Sequence, residues 1–305
     1  MKFIDPKTDF AFKRIFGSEE SNEILISFLN ALLSFKWDEK IKEVKILDPY
    51  QAPKIKWLKA TYLDLKVKTK WWKKIIIEMQ VLNVKWFDKR VLYNLTKSYA
   101  NQIEEWRHYL KLNPVIALTI TDFKMFPEFN KYISNYIFKE KKENSIYNWD
   151  LEMVFVELPK FKKSLEELET IQDKWIYFMK EVDNMKIEPE NYKKEKIFNK
   201  AFSLANKINL SELELDEQER ESMFIQDKRW MIDFAIEKGL EIWEKKWIEK
   251  WIEKWIEQWK KEEKKELIYN AYANNIPMWM IVEIFSKSEE EIINIIKEKN
   301  KEFWI

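Results

Sequence analysis

Two acidic residues and one amide residue lie close together in and just before a run of β-forming residues. Glu78 and Gln80 belong to the run 74–81, and Asp64 lies in the strand-like stretch that precedes it. If neighbouring strands bring Asp64 and Glu78 together, their carboxylates can share one Mg²⁺, with waters and phosphate oxygens as further ligands. A cation held in this way can drive the hydrolysis of a phosphodiester bond. The spacing therefore indicates a candidate hydrolytic metal site.

The third polar residue of this group is an amide rather than a cation. Alternation along a strand places Glu78 and Gln80 on one face, about 7 Å apart. Sites of this kind usually carry Lys at the third position, whereas Gln80 can orient a water molecule but supplies no positive charge. Lys66 or Lys74 could supply that charge. The alternative is an edge hairpin on which the two carboxylates do nothing, and the short spacing alone favours that alternative.

Other residues are weaker candidates for the same site. Asp9 could approach the metal from the N-terminal segment, although a helix-capping role is favoured. Arg90 could contact a phosphate or form a surface salt bridge, and Gln102 could line the site or simply pack. Structural roles are expected for three further residues. His108 is expected to be partly buried, and Tyr93 and Tyr99 are expected to lie in the core.

The elements that must position these residues follow from hydrophobic periodicity. A helix is predicted after Ser18 and a longer one over 88–110, and the chain becomes helical and highly charged after residue 160. Strands are predicted at 44–47, 63–68, 74–81, 115–120 and 151–158, with Trp71 and Trp72 at a turn. The order α, β, β, β, α, β, β predicts an α/β domain with a mixed central sheet flanked by helices.

Composition excludes several classes of site. The chain of 305 residues has no Cys and one His, which excludes disulfides, thiolate metal sites and His-rich zinc sites and makes a Ser-His-Asp arrangement unfavourable. The N-terminus lacks a signal-peptide apolar region, and no apolar run approaches the length of a membrane span. A cytoplasmic protein without a membrane partner is therefore expected.

Charge is distributed unevenly along the chain. Residues 54–111 contain 14 Lys and Arg against 5 Asp and Glu, a net charge of +9. Because the whole chain carries only +1, the remainder carries −8. A basic segment around the two carboxylates suits a polyanion such as DNA. A solvated lysine-rich surface is an equally good explanation of the charge alone.

The balance of tryptophan and glycine is unusual. The chain has 16 Trp and 2 Gly, whereas average usage of about 7% would give about 21 Gly. Five Trp recur at every fourth residue of a highly charged stretch: Trp243, Trp247, Trp251, Trp255 and Trp259. We hypothesise that many of these Trp are glycine codons read with the wrong genetic code, since some bacterial lineages translate UGA as glycine. The alternative is a chain that is truly rich in Trp.

A series of short motifs resembles one known family. The resemblance covers most of residues 1–235, and its motifs are specific in their order rather than singly. They are TDFAFKRIFG at 8–17, YLDLKV at 62–67, IEMQ at 77–80, KRVLY at 89–93, YANQ at 99–102, NPVI at 113–116 and ELPKF at 157–161. In this order they resemble the Rpn-type PD-(D/E)XK nuclease family of transposases, the recombination-promoting nucleases.

This resemblance implies a restriction-endonuclease-like fold and metal-dependent DNA cleavage linked to recombination or transposition. Carried over to this chain, Asp64 and Glu78 match the metal-binding carboxylates, and Gln80 matches the family's variant of the catalytic Lys. The family also commonly has Gly where this chain has Trp in the periodic tail and at three earlier positions, Trp57, Trp72 and Trp106. That difference supports the recoding hypothesis.

Together these observations predict a nuclease-like domain at 1–235 and a charged, helical, low-complexity tail with a short C-terminal helical pair at 236–305. The predicted activity is that of a Mg²⁺-dependent DNA endonuclease, with Lys66, Lys74 and Arg90 as weaker DNA contacts. A homodimer is expected, because a double-strand cut needs two active sites. The alternatives are a catalytically silent DNA-binding or interaction protein that keeps the fold, and a helical assembly protein driven by the tail.

Overall fold

The computed structural model describes residues 2–33, 35, 39–51, 61–70, 73–103 and 108–302. The predicted turn at Trp71 and Trp72 lies outside these residues, as do Trp57 and Trp106. The chain divides into two compact units, Met1–Trp230 and Met231–Ile305.

The first unit is built on a six-stranded mixed sheet. Its strand order is β1-β4-β5-β6-β8-β7, and a separate two-stranded sheet pairs β2 with β3. The strands are β1 (Val44–Leu47), β2 (Tyr50–Gln51), β3 (Thr61–Tyr62), β4 (Leu65–Thr69), β5 (Lys74–Gln80), β6 (Val115–Thr121), β7 (Ile133–Ile137) and β8 (Leu151–Glu157). The central strands β5, β6 and β8 run parallel, and the β1–β4, β4–β5 and β7–β8 pairs are antiparallel. The predicted mixed central sheet is confirmed.

Helices cover both faces of this sheet. Those of the first unit are α1 (Asp9–Phe16), α2 (Asn22–Leu32), α3 (Phe87–Ala100), α4 (Ile171–Glu181), α5 (Glu190–Lys193) and α6 (Lys196–Ala205). The larger core cluster joins one face to α1, α2, α4 and α6 and contains Ile75 and Ile77. A smaller cluster joins the other face to α3 and contains Ile76. Alternation along β5 therefore turns Glu78 and Gln80 toward the face that α3 covers.

Two local predictions from the sequence are wrong, and one strand of the central sheet was missed. The helix predicted over 88–110 ends at Ala100, where Asn101 caps it. Ser18 does not begin a helix directly, because a short 3₁₀ turn at Glu19–Ser21 comes before α2. Strand β7 was not predicted, since its residues Ile-Ser-Asn-Tyr-Ile give a weak apolar alternation.

Helix α7 (Glu212–Ala273) begins in the first unit and continues into the second. The second unit also contains α8 (Met278–Phe285) and α9 (Glu289–Glu302). A small apolar cluster of Ile268, Ile281, Ile292 and Ile296 joins the end of α7 to these two helices. The predicted C-terminal helical pair is confirmed, with Pro277 at its start and Ser288 accepting a hydrogen bond from the Glu291 backbone N–H.

Within the described residues, no helix is both long enough and apolar enough to cross a membrane.

Candidate active site

Asp64 lies at a bend immediately before β4, at the end of the hairpin where β5 finishes. The antiparallel register pairs Leu65 with Ile77, so the next positions outward are Asp64 on one strand and Glu78 on the other. The Asp64 Oδ2 atom accepts a hydrogen bond of 2.5 Å from the Met79 backbone N–H. This bond ties the carboxylate of Asp64 to the strand that carries Glu78.

The electrostatic environment of Asp64 disfavours its ionised form. Burial raises the pKa of this carboxyl to about 7, and the negative charges of Asp9 and Glu78 act in the same direction. The hydrogen bond from Met79 and the charge of Lys13 oppose the rise in pKa without cancelling it. A cation bound beside Asp64 would relieve this repulsion.

Glu78 is almost completely buried beneath α3. Its Oε1 atom accepts a hydrogen bond of 2.5 Å from Nδ2 of Asn94. Its Oε2 atom is buried and has no hydrogen-bond partner among the described residues. Burial raises the pKa of Glu78, while the charge of Arg90 and the hydrogen bond from Asn94 oppose that shift.

Gln80 is held by contacts at both ends of its amide. Its Oε1 atom accepts a hydrogen bond from Arg90, and its Nε2 atom donates one of 2.7 Å to the carbonyl of Leu82. The guanidinium of Arg90 also stacks over the Phe87 ring, 4.9 Å from its centroid, and the side chain is exposed. The positively charged side chain beside Gln80 is therefore that of Arg90.

The two lysines that were candidate substitutes for the missing positive charge lie farther along the sheet. Lys74 is at the start of β5, four residues before Glu78, which corresponds to about 13 Å along the strand. Lys66 pairs with Ile76 and so shares the face of Glu78. Burial lowers the pKa of both lysines, and the charges of Lys66 and Lys68 lower that of Lys74 further.

Sequence reasoning missed two residues of this region. Asn94 lies one helical turn after Arg90, so the two side chains share a face of α3. Asp122 directly follows β6, and its backbone N–H donates a hydrogen bond of 3.0 Å to the Gln80 carbonyl. Its carboxylate pairs with Arg229. The signal that could have found Asp122 is a polar residue at the carboxyl end of a buried parallel strand.

The weaker candidates have other roles. Thr8 caps α1, and Asp9 is its first residue, paired with Lys13 at 2.7 Å. The expected capping role of Asp9 is therefore wrong, although its charge reaches Asp64. Gln102 makes two hydrogen bonds to the backbone of Asn113 and so packs before β6.

The expectations for the aromatic candidates had mixed outcomes. His108 is exposed, which contradicts the expected partly buried position. Tyr99 packs against the smaller core cluster and donates a hydrogen bond of 2.6 Å to Asp150. Tyr93 is only partly buried, on the same helix.

The donor set fits a hard cation with few protein ligands. In the described part of the chain, no three carboxylates or histidines are grouped closely enough to form a metal cage. The carboxylate of Asp64 and the unpartnered Oε2 of Glu78 are oxygen donors of the type that Mg²⁺ binds. Because Mg²⁺ keeps several waters and uses substrate oxygens, two carboxylates are sufficient.

A family model described as PD-(D/E)XK nuclease family transposase matches residues 6–235. The chain belongs to this family. No curated protein and no solved structure matches the chain. As a PD-(D/E)XK nuclease family transposase, the chain has a restriction-endonuclease-like α/β fold, with the mixed six-stranded sheet and flanking helices described above. The function of the family is of the nuclease type and is linked to transposition.

Proposed function

We propose that this protein is a Mg²⁺-dependent DNA endonuclease, in which Asp64 and Glu78 hold the cation. The observation that carries the proposal is the pair of carboxylates at one end of the β4–β5 hairpin. One of them keeps a buried oxygen that has no partner in the part of the chain that the structure describes. Membership of the nuclease family supports the same assignment. When bound, Mg²⁺ would activate the attacking water and stabilise charge on the phosphate.

The side chains of the chain have separate tasks in this proposal. Asp64 and Glu78 supply negative oxygens, and Asn94 fixes the orientation of Glu78 through the hydrogen bond to Oε1. Gln80 orients the nucleophilic water, while Arg90 holds Gln80 and offers its exposed guanidinium to a phosphate. Lys66 and Lys74 would attract the DNA backbone on the same face.

One observation favours the alternative of a silent protein that binds DNA without cutting it. Both polar ends of Gln80 are already hydrogen-bonded within the chain, to Arg90 and to Leu82. An amide whose oxygen and nitrogen are both occupied in this way is poorly placed to orient a water molecule. It also lacks the proton that a lysine at this position could donate. A protein of this kind would still bind DNA through its lysine-rich surface but would not hydrolyse the phosphodiester bond.

Plasmid nicking separates the two functions. The wild-type protein should convert supercoiled plasmid to nicked or linear DNA with Mg²⁺, and EDTA should stop the reaction. The Asp64→Asn and Glu78→Gln variants should be slower by roughly two orders of magnitude or more, since each removes a ligand charge.

Glu152→Gln is the matched control, because Glu152 is a partly buried sheet carboxylate whose pKa is also raised by burial. Equal cutting by all four proteins would remove the site assignment. DNA binding without cutting in the wild type would establish the silent alternative. Sedimentation of the wild type with and without DNA tests the expected homodimer.

A further inference from the structure

Four lysines share one face of the sheet beside the candidate site. The antiparallel registers pair Lys45 with Lys68 and Lys68 with Lys74, so these three form a row across β1, β4 and β5. Lys66 is in the adjacent row, opposite Ile76. Directly opposed residues on neighbouring strands project from the same face. The row therefore presents three amines on the face that carries Glu78.

The amines of this row lie close enough to repel one another. Like charges placed directly opposite each other on neighbouring strands destabilise a sheet. Lys45 is exposed, and Lys68 and Lys74 are partly exposed. Burial lowers the pKa of Lys74, and the charges of Lys66 and Lys68 lower it further. An anion that lies across all three strands would interact favourably with the three positive charges.

The spacing of the row suits a nucleic-acid backbone. Neighbouring strands are about 4.8 Å apart, so the row spans about 10 Å and ends about 13 Å from Glu78 along β5. Phosphates of one DNA strand advance by about 3.4 Å each along the duplex axis. Four successive phosphates, about 10 Å from first to last, therefore span the row, and the carboxylates lie to one side of it, along β5.

We propose that Lys45, Lys68 and Lys74 bind phosphates of one DNA strand that crosses the sheet beside the active site. This inference rests on the proposed function for the position of the DNA relative to the carboxylates, and on the sheet register alone for the row. Contacts of this kind position DNA without reading its sequence. They also make affinity dependent on salt, because each neutralised phosphate releases counterions.

The test uses the full chain with Asp64→Asn, so that DNA is bound without being cut. Fluorescence anisotropy with a labelled duplex gives the slope of log affinity against log salt. Replacing Lys45, Lys68 and Lys74 by Ala should reduce that slope by about 2 to 3 units. Replacement of the same three by Arg should keep it. A triple variant at the exposed Lys131, Lys141 and Lys142 changes the net charge equally and should lower it much less.

An equal loss of salt slope in the two Ala variants would contradict the proposal that this row binds DNA. The absence of DNA binding by the parent protein would contradict it too. If the wild type does not nick plasmid but the salt slope still depends on the three lysines, the proposed nuclease activity is wrong. The proposal that the row binds DNA would then remain valid. The two failures are thus distinguishable.

A second inference concerns the tryptophans, and it rests on their burial. Of the ten that the structure describes, only Trp175 is fully buried. Its ring contacts Phe16, Phe28 and Phe198, and its Nε1 donates a hydrogen bond of 3.0 Å to Ser27. The other nine are each between 54% and 67% exposed: Trp86, Trp149, Trp230, Trp243, Trp247, Trp251, Trp255, Trp259 and Trp279.

This distribution is abnormal for tryptophan, which is highly buried on average in folded proteins. Trp86 adds a backbone argument. It precedes α3 with φ 68° and ψ 19°, in the left-handed region that glycine occupies readily and that bulky residues avoid. Of the described residues with positive φ, the other three are Asn144, Asn275 and Ser286, which are small and polar.

The tail gives a third argument. The five Trp of α7 from Trp243 to Trp259 recur every four residues, so the line that joins them turns by about 40° per repeat around the helix. Coiled coils bury apolar stripes with periods of 3.5 or 3.67 residues. A period of four matches neither, and a straight partner helix could not cover all five indoles.

We infer that the nine exposed tryptophans are glycines in the native protein, encoded by UGA, and that Trp175 is a true tryptophan encoded by UGG. The chain was then translated with a code that reads UGA as tryptophan. Glycine at these positions removes the stripe of exposed indoles from α7. At position 86 it also adopts the positive φ without strain. Trp175 keeps its place because glycine there would leave a cavity among the surrounding phenylalanines.

Two measurements on the native material decide this inference. The gene should carry UGA at all nine exposed positions and UGG at 175. Peptide mass spectrometry of the protein from its own host should then show Gly at the nine positions and Trp at 175. UGG codons, or tryptophan masses, at the exposed positions would overturn the inference and would establish the stripe as a real apolar surface that requires a partner.

Discussion

Nδ2 of Asn94 donates a hydrogen bond of 2.5 Å to Oε1 of Glu78, beneath α3. Because the other oxygen of Glu78 is buried and has no partner among the described residues, Asn94 determines which way that oxygen faces. The helix that covers the sheet thus also orients a candidate metal ligand. This relationship makes Asn94 a positioning residue for the proposed reaction.

Replacing Asn94 by Ala should therefore slow plasmid nicking by about 10- to 100-fold, the usual effect of losing a residue that orients a ligand. It should also lower the free energy of unfolding by about 1–3 kcal/mol, since Glu78 loses its buried donor. Nicking rates at several Mg²⁺ concentrations separate the two effects, because a raised Mg²⁺ requirement indicates a misplaced ligand.

Asn135→Ala is the control for this experiment. Asn135 donates to Glu152 at 3.3 Å in another part of the sheet, at an exposed position. Nicking by this variant should match the wild type. An unchanged Mg²⁺ requirement in Asn94→Ala would contradict the positioning role.

Stability without metal should depend on pH through Asp64. Its folded-state pKa of about 7 is above the ordinary value of 3.8, so the folded protein keeps a proton that the unfolded chain has lost between about pH 4 and 7. The free energy of unfolding should therefore fall as pH rises through that window, by up to about 4 kcal/mol, and then level off. Urea unfolding in EDTA at a series of pH values measures this fall.

Asp64→Asn isolates the effect from the other buried carboxylates. The difference in unfolding free energy between the variant and the wild type should grow in favour of the variant from about pH 4 to 7. Parallel curves for the two proteins would mean that Asp64 keeps an ordinary pKa in the folded chain.

Metal binding should reverse this loss of stability. At pH 8 the wild type should unfold at a higher temperature with Mg²⁺ than with EDTA, and a free concentration of about 100 times Kd would add about 2.7 kcal/mol. The Asp64→Asn and Glu78→Gln variants should show little gain. An equal gain in wild type and both variants would place the cation elsewhere.

The tryptophan assignment predicts opposite effects at two positions of the recombinant Trp-containing chain. Trp86→Gly should raise the free energy of unfolding by about 1 kcal/mol, because it relieves a left-handed backbone. Trp175→Ala should lower it by about 3–5 kcal/mol, because it leaves a large cavity. Trp149→Gly is the control, since it is exposed without a positive φ. Destabilisation by Trp86→Gly would count against glycine at that position.

Local periodicity explains which parts of this structure could be predicted from the sequence. The alternation of Ile75 and Ile77 with Ile76 and Glu78 is a property of one strand, and the two core clusters confirm it. The resemblance to the nuclease family is likewise carried by short motifs, and the family match confirms it. The catalytic roles of Asp64, Glu78 and Gln80 stay predictions.

Contacts between distant segments could not be predicted in the same way. Asn94 meets Glu78 only because α3 packs across the sheet at a particular rotation, and Asp122 meets Arg229 across 107 positions of the chain. The ELPKF motif shows the same limit. Its Glu157 is fully buried and pairs with Lys160 at 2.6 Å, while also accepting the backbone N–H of Met125. Neither the burial of Glu157 nor its contact with the Met125 backbone could be predicted from the residues of the motif.

The short β4–β5 hairpin has a consequence for how the protein reaches its native state. The bond from Met79 to Asp64 spans only 15 positions, whereas the β5–β6 register pairs Lys74 with Val115, 41 positions later. Loops of short sequence separation close fastest. The two acidic residues should therefore come together early in folding, before the parallel strands of the sheet pair.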